Sequence, residues 1–114
     1  MTAEFTDDAR ALMAMRSLGE CEVQWPNVCM GCIDTYHHRR PRGNGGSRKP
    51  STSWVSNGCA ICRACHSFIE TRERGKAIEL GFIVSQFAEP SEVKLFYRHE
   101  RYALLDNDGN VVAA

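Results

Sequence analysis

Cysteine and histidine, the side chains that bind transition metals most readily, gather in two stretches of this 114-residue chain. Cys29-Met-Gly-Cys32 and Cys62-Arg-Ala-Cys65 are C-x-x-C pairs about thirty residues apart, and that is zinc-knuckle spacing. Four thiolates would close a tetrahedral shell, so a zinc held this way is a structural staple with no open position for chemistry. Cys62 and Cys65 are the firmest ligands, because they flank a helix start. The second pair has two readings, Cys29 with Cys32 or Cys21 with Cys29. Four residues separate Cys32 from His37 and seven separate Cys29 from it, so the latter choice gives the chain more room to enter a strand. Cys59 reads as a small buried apolar residue.

Three of the four histidines stand beside these cysteines or a basic stretch. His37 and His38 are adjacent and run into Arg39-Arg40-Pro41-Arg42-Gly43, and His66 follows Cys65 directly. His99 reads as an ordinary surface or core histidine. Side chains alternate along a strand, so His37 and His38 can serve one site only at a strand end or distortion. Pro41 supplies such an end. Arg39, Arg40, Arg42, Arg48 and Lys49 put +5 between positions 39 and 49, in a chain whose 14 basic and 14 acidic residues cancel overall. The overall neutrality speaks against a general polyanion binder. The local cluster instead suits phosphate contacts, which give affinity without sequence information, and the helix at Cys62 adds its N-terminal dipole.

The elements expected to position these residues are few. A helix is expected over residues 6–18, capped by Thr6 or Asp7 and ended by Gly19, with an apolar stripe of Leu12, Met15, Met13 and Leu18. A strand is expected over 33–40, and residues 42–53 form a flexible Gly/Ser loop. Trp54 and Val55 start a second strand, with a turn at Ser56-Asn57-Gly58. Residues 62–74 read as a helix with Phe68 and Ile69 inward, interrupted at Gly75 and continued over 76–80. Strands are expected over 82–87, 93–97 and 102–105, with a tight turn at Asn107-Asp108-Gly109-Asn110. The fold class is small α+β in one domain, 1–114, with a motif core at 21–74 and a C-terminal β appendage at 82–114. The acidic N-terminus lacks a secretory pattern, and no stretch approaches the ~20 apolar residues of a membrane span. The expected setting is cytoplasmic, where cysteines stay reduced.

The run HHRRPRGNGG, then Ser-Asn-Gly, then CAICRACHSFIE, resembles the HNH endonucleases, and most of all the short zinc-containing members from phages and actinobacteria. The match spans about Cys21 to Glu70 and follows the family order of histidine pair, Gly-rich basic loop, asparagine and C-x-x-C-H. Asn57 lies nine residues before His66, a spacing also found in colicin-type members. The resemblance implies a ββα-metal, treble-clef-like core stapled by structural zinc, cutting DNA. It makes His38 the general base, Asn57 the residue that braces the loop, and His37 and His66 ligands of a catalytic metal. That metal would be Mg²⁺, Mn²⁺, Ni²⁺ or Zn²⁺. Glu70, four residues beyond His66, falls on the same helix face, where some members place a further histidine ligand. It reads equally well as a solvated carboxylate near Arg74. By resemblance the zinc ligands are Cys21, Cys29, Cys62 and Cys65, with Cys32 the rival. The products would carry 5′-phosphate and 3′-hydroxyl ends. The setting would be a bacterial host cell, and a terminase partner in DNA packaging follows by analogy alone.

A non-catalytic treble-clef zinc module that binds DNA or protein accounts for the cysteines and the basic loop. It leaves the ordered set His37, His38, Asn57 and His66 without a purpose. An oxidoreductase using C-x-x-C chemistry would call for a βαβ pattern, which the chain lacks.

Overall fold

Thr6 sets the first helix. Its Oγ1 accepts a hydrogen bond from the Ala9 amide at 3.1 Å, and helix α1 runs Asp7–Arg16 with two acids in its first turn and Arg16 in its last. The computed structural model describes residues 4–42 and 49–114. The inner face of α1 is formed by Ala9, Met13 and Ser17. Met15 and Leu18, expected in the apolar stripe, are 72% and 80% exposed. The reason lies in Arg16, which takes an inward position. Its guanidinium is buried against Glu22 at 2.6–2.7 Å and also donates to the Gly58 carbonyl. Glu22 is fully buried and also accepts from the Ala60 amide and the Tyr97 hydroxyl. Such a saturated charge pair ties α1, the central ribbon and the C-terminal sheet together, and breaking it from one side costs about 3–5 kcal/mol.

The ribbon consists of β1 (Thr35–His38) and β2 (Gly58–Ile61), antiparallel, with His37 opposite Cys59 and His38 opposite Gly58. β1 is shorter than expected. The predicted strand at Trp54 is replaced by two 3-10 turns, Pro50–Ser53 and Val55–Asn57. β2 is buried on both faces. One face packs with Phe5, Ala9, Met13 and Val55 through Ala60. The other places Cys59 and Ile61 in the larger core with Ile69, Phe82, Leu95 and Leu105.

Helix α2 (Arg63–Ser67) follows β2 at once, with Cys62 as its cap. It widens into a π-helical turn at Phe68–Arg72 and resumes as α3 (Arg74–Glu79). The break falls at Glu73, whose backbone leaves helical geometry, and Gly75 lies inside α3. Residues 82–87 do not form the expected strand. Phe82, Ile83 and Val84 are buried as irregular chain, while Phe87 is 96% exposed. A meander of β3 (Leu95–Tyr97), β4 (Arg101–Leu105) and β5 (Val111–Ala113) completes the chain. The result is a small α+β protein with two small antiparallel sheets among the described residues. No described helix is long and apolar enough to cross a membrane.

Candidate metal centres and the histidine cleft

Cys21, Cys29, Cys62 and Cys65 converge, each offering a sulfur within 4.8 Å of the other three. The Cys29 and Cys62 sulfurs lie 4.0 Å apart. A tetrahedral zinc with ~2.3 Å Zn–S bonds needs sulfur edges near 3.8 Å, so the cluster could hold zinc with small adjustments. Backbone amides already point at the sulfurs. Met30 and Cys65 donate to Cys62, and Gly31 donates to Cys29. The hydrogen bond from Cys65 draws Cys21 down to about 5, and burial lifts Cys29 to about 11. Cys32 stays outside the cluster, exposed, with its thiol donating to Asp34. Cys59 is fully buried, and burial pushes its thiol up to about 12, which suits an inert core residue.

A second set of donors gathers between β1, α2 and the π-helical turn that follows it. His37, His66 and Glu70 offer ligand atoms within 4.8 Å of one another. His37 is 3% exposed, and its Nε2 lies 2.8 Å from the Phe82 carbonyl. A carbonyl only accepts, so Nε2 carries a proton, which in the neutral tautomer leaves the lone pair at Nδ1. Nδ1 is buried without a hydrogen-bond partner, 3.6 Å from Glu70 Oε1. His66 Nε2 lies 2.9 Å from the same oxygen. Proximity to His37, then to His66, holds the Glu70 carboxyl down at about 2. Burial, then His37, lowers His66. Both therefore favour the forms that bind a cation: carboxylate and neutral imidazole. An orphaned buried lone pair aimed at a carboxylate and a second imidazole fits a divalent metal with nitrogen and oxygen ligands.

His37 and His38 sit on opposite faces of β1. His37 meets His66 on the α2 side, with ring centroids 5.1 Å apart, whereas His38 stacks on Phe5 on the α1 side. They nonetheless line one cleft of about 680 Å³. Among the described residues the ribbon has two strands, and the cleft takes lining residues from both faces of β1. This resolves the alternation problem posed by adjacent histidines. Asn57 lies beneath the chain that leaves β1. Its Oδ1 accepts from the Arg40 amide at 2.6 Å, and its Nδ2 donates to the Arg40 and Thr52 carbonyls. It thus fixes the backbone two residues after His38.

The basic stretch divides differently from expectation. Arg39 and Arg40 are 0% and 1% exposed, which removes them as phosphate contacts. Arg39 donates to the carbonyls of Gly81, Ser56, Pro90 and Val93, and burial pulls its guanidinium down to about 10. Arg40 donates to Ala88, Glu89, Ser51 and Thr52. A guanidinium with five fixed donors is well suited to gathering such irregular chain. Arg42 does line the cleft. Lys49 donates to the Gln86 carbonyl at an exposed position, and Arg48 lies outside the described residues. The sequence reading missed Phe5, Arg10 and Arg74, which also line the cleft. Phe5 and Arg10 lie far from the motif in sequence, and none of the three carries a spacing signal. Compared with family models, curated proteins and solved structures, the chain matches none.

Proposed function

We propose that this chain is a metal-dependent HNH endonuclease in which β1, β2 and α2 form a ββα-metal core around a zinc staple, and that it hydrolyses phosphodiester bonds in DNA. The observation that carries the reading is the buried Nδ1 of His37, which has no hydrogen-bond partner and is grouped with Glu70 and His66 in the cleft that His38 also lines. A structural core has no use for such a lone pair, since leaving it unsatisfied costs about 1–3 kcal/mol. A bound divalent cation would polarise the phosphate and stabilise the leaving 3′ oxygen. His37, His66 and Glu70 would hold it, leaving room for the substrate. His38 would take the proton from the attacking water through an imidazole nitrogen, a role to which the histidine side chain is suited. Asn57 would keep the loop after His38 in place. Arg42, joined by Arg10 and Arg74 from the cleft walls, would contact the DNA backbone.

The test is plasmid cleavage by the purified protein with no added metal and with Mg²⁺, Mn²⁺ or Ni²⁺, beside His38→Ala. Metal-dependent nicking or linearisation is expected. The substitution should reduce it on the order of a hundred- to ten-thousand-fold while zinc content and melting stay unchanged. Absence of cleavage with every metal, from protein that keeps its zinc and binds DNA, would turn the reading towards a non-catalytic zinc module.

A further inference from the structure

We infer that Phe5 is a positioning residue for His38, so that the N-terminal segment completes the base side of the cleft; this rests on the nuclease reading above. Phe5 stands just before the Thr6 cap, far from every residue of the histidine–asparagine–histidine set. Its ring lies nearly parallel to the His38 imidazole, with 4.1 Å between centroids and 15° between planes. Only 4% of Phe5 is exposed, and it packs in the cluster with Ala9, Met13, Val55 and Ala60. The ring is therefore a fixed wall. It covers one face of the imidazole and restricts tilting out of the stacked plane.

The ribbon is shaped to admit that wall. Gly58 is the cross-strand partner of His38. A Cβ at Gly58 would fall 2.2 Å from Met13 Sδ and 3.0 Å from Phe5 Cζ. Only a bare backbone lets Met13 and Phe5 close against the strand at this point. His37 is oriented by a hydrogen bond to a core carbonyl, and His38, the last residue of β1, is backed by an aromatic ring. A general base must be held near its productive geometry, and displacement by about 1 Å can cost on the order of a hundred-fold in rate.

The experiment compares the unsubstituted chain with Phe5→Leu. The readouts are the NMR shifts of the His38 ring protons, steady-state cleavage of a DNA oligonucleotide, and thermal melting. In the wild type, the Phe5 ring current should move the His38 ring protons upfield. Phe5→Leu should lose the shift and lower kcat by roughly ten- to a hundred-fold with KM nearly unchanged. An unshifted His38 ring in the wild type would overturn the inference, and this reading does not depend on how the Leu variant folds. So would a folded Phe5→Leu protein with wild-type kcat. Retained cleavage in His38→Ala would instead overturn the assignment of the base, and the positioning role with it. Cleavage abolished by His38→Ala but untouched by Phe5→Leu would sink the positioning role alone.

Discussion

The cysteine cluster and the histidine cleft share helix α2 yet are built in opposite ways. Cys62 caps the helix and Cys65 lies in its first turn, both fully buried. One residue further on, His66 is half-buried and Glu70 exposed. In the cysteine cluster every candidate ligand is a protein sulfur, backbone amides bond to Cys29 and Cys62, and four donors complete a tetrahedron. The histidine set has three donors and an open side. A closed shell spends its binding energy on folding, whereas an open one keeps positions for substrate and water. The helix thus serves as a shared beam, fastened at its start by one site and offering its next turn to the other.

The comparison breaks most sharply by substituting neighbours on that beam. Cys65→Ser should remove a cation-linked contribution of roughly 10 kcal/mol, comparable to the whole stability of a small domain. The expected result is loss of zinc and of a cooperative melting transition. His66→Ala should leave zinc content and the melting profile close to wild type and abolish metal-dependent cleavage. A normal melt in the first, or unfolding in the second, would mean that the two centres do not divide the labour in this way.

A second division runs through the arginines. Arg39→Ala removes a donor from four carbonyls, of which only that of Pro90 keeps another, the Val93 amide, and orphaned buried acceptors cost about 1–3 kcal/mol each before relaxation. A destabilisation of at least about 3 kcal/mol is expected from denaturant melts. Arg42→Ala, at the cleft, should change stability by less than about 0.5 kcal/mol. It should weaken DNA binding and lower the salt slope of log K by about one. A large stability loss at Arg42, or an unaltered salt slope, would erase the distinction.

Much of the core was legible because its signals are local. C-x-x-C pairs, a histidine pair stopped by proline, and Asn57 at fixed spacing from His66 all lie within one stretch. The four clustered cysteines are those implied by family resemblance, but spacing alone left Cys32 open. What separates Cys32 is the turn at Gly31, whose φ is +86°, and the engagement of its thiol by Asp34. Arg39 and Arg40 were misread because adjacency of positive charge in sequence says nothing about burial. Their partners are mostly backbone carbonyls, which no side-chain pattern reveals. The strand over 82–87 failed for a related reason: its apolar residues fill space between elements, and Val84 bonds to the Arg39 carbonyl rather than to a strand ladder. The β3–β4 turn places Arg98 and His99 at φ of +56° and +55°, without the Asn-Gly signal such a turn usually carries. Tertiary contacts hold it instead: His99 Nδ1 donates to the Val23 carbonyl, and its ring packs among Trp25, Phe82 and Phe96.

The smallest expected effect is also the one that separates the two readings of the zinc ligands. Cys32→Ser exchanges an exposed thiol, which donates to Asp34, for a hydroxyl able to do the same. Asp34 also accepts from the Arg63 amide at the start of α2, so the helix end stays satisfied. Zinc content should remain at one per chain and the melting transition should move by less than about 0.5 kcal/mol. Cys29→Ser should lose the metal, because Cys29 lies within reach of the other three sulfurs. Zinc retained by both variants would make Cys29 and Cys32 exchangeable ligands, and zinc lost by both would make Cys32 a required one. In the first case the closed shell would be less fixed than its four buried and half-buried sulfurs imply.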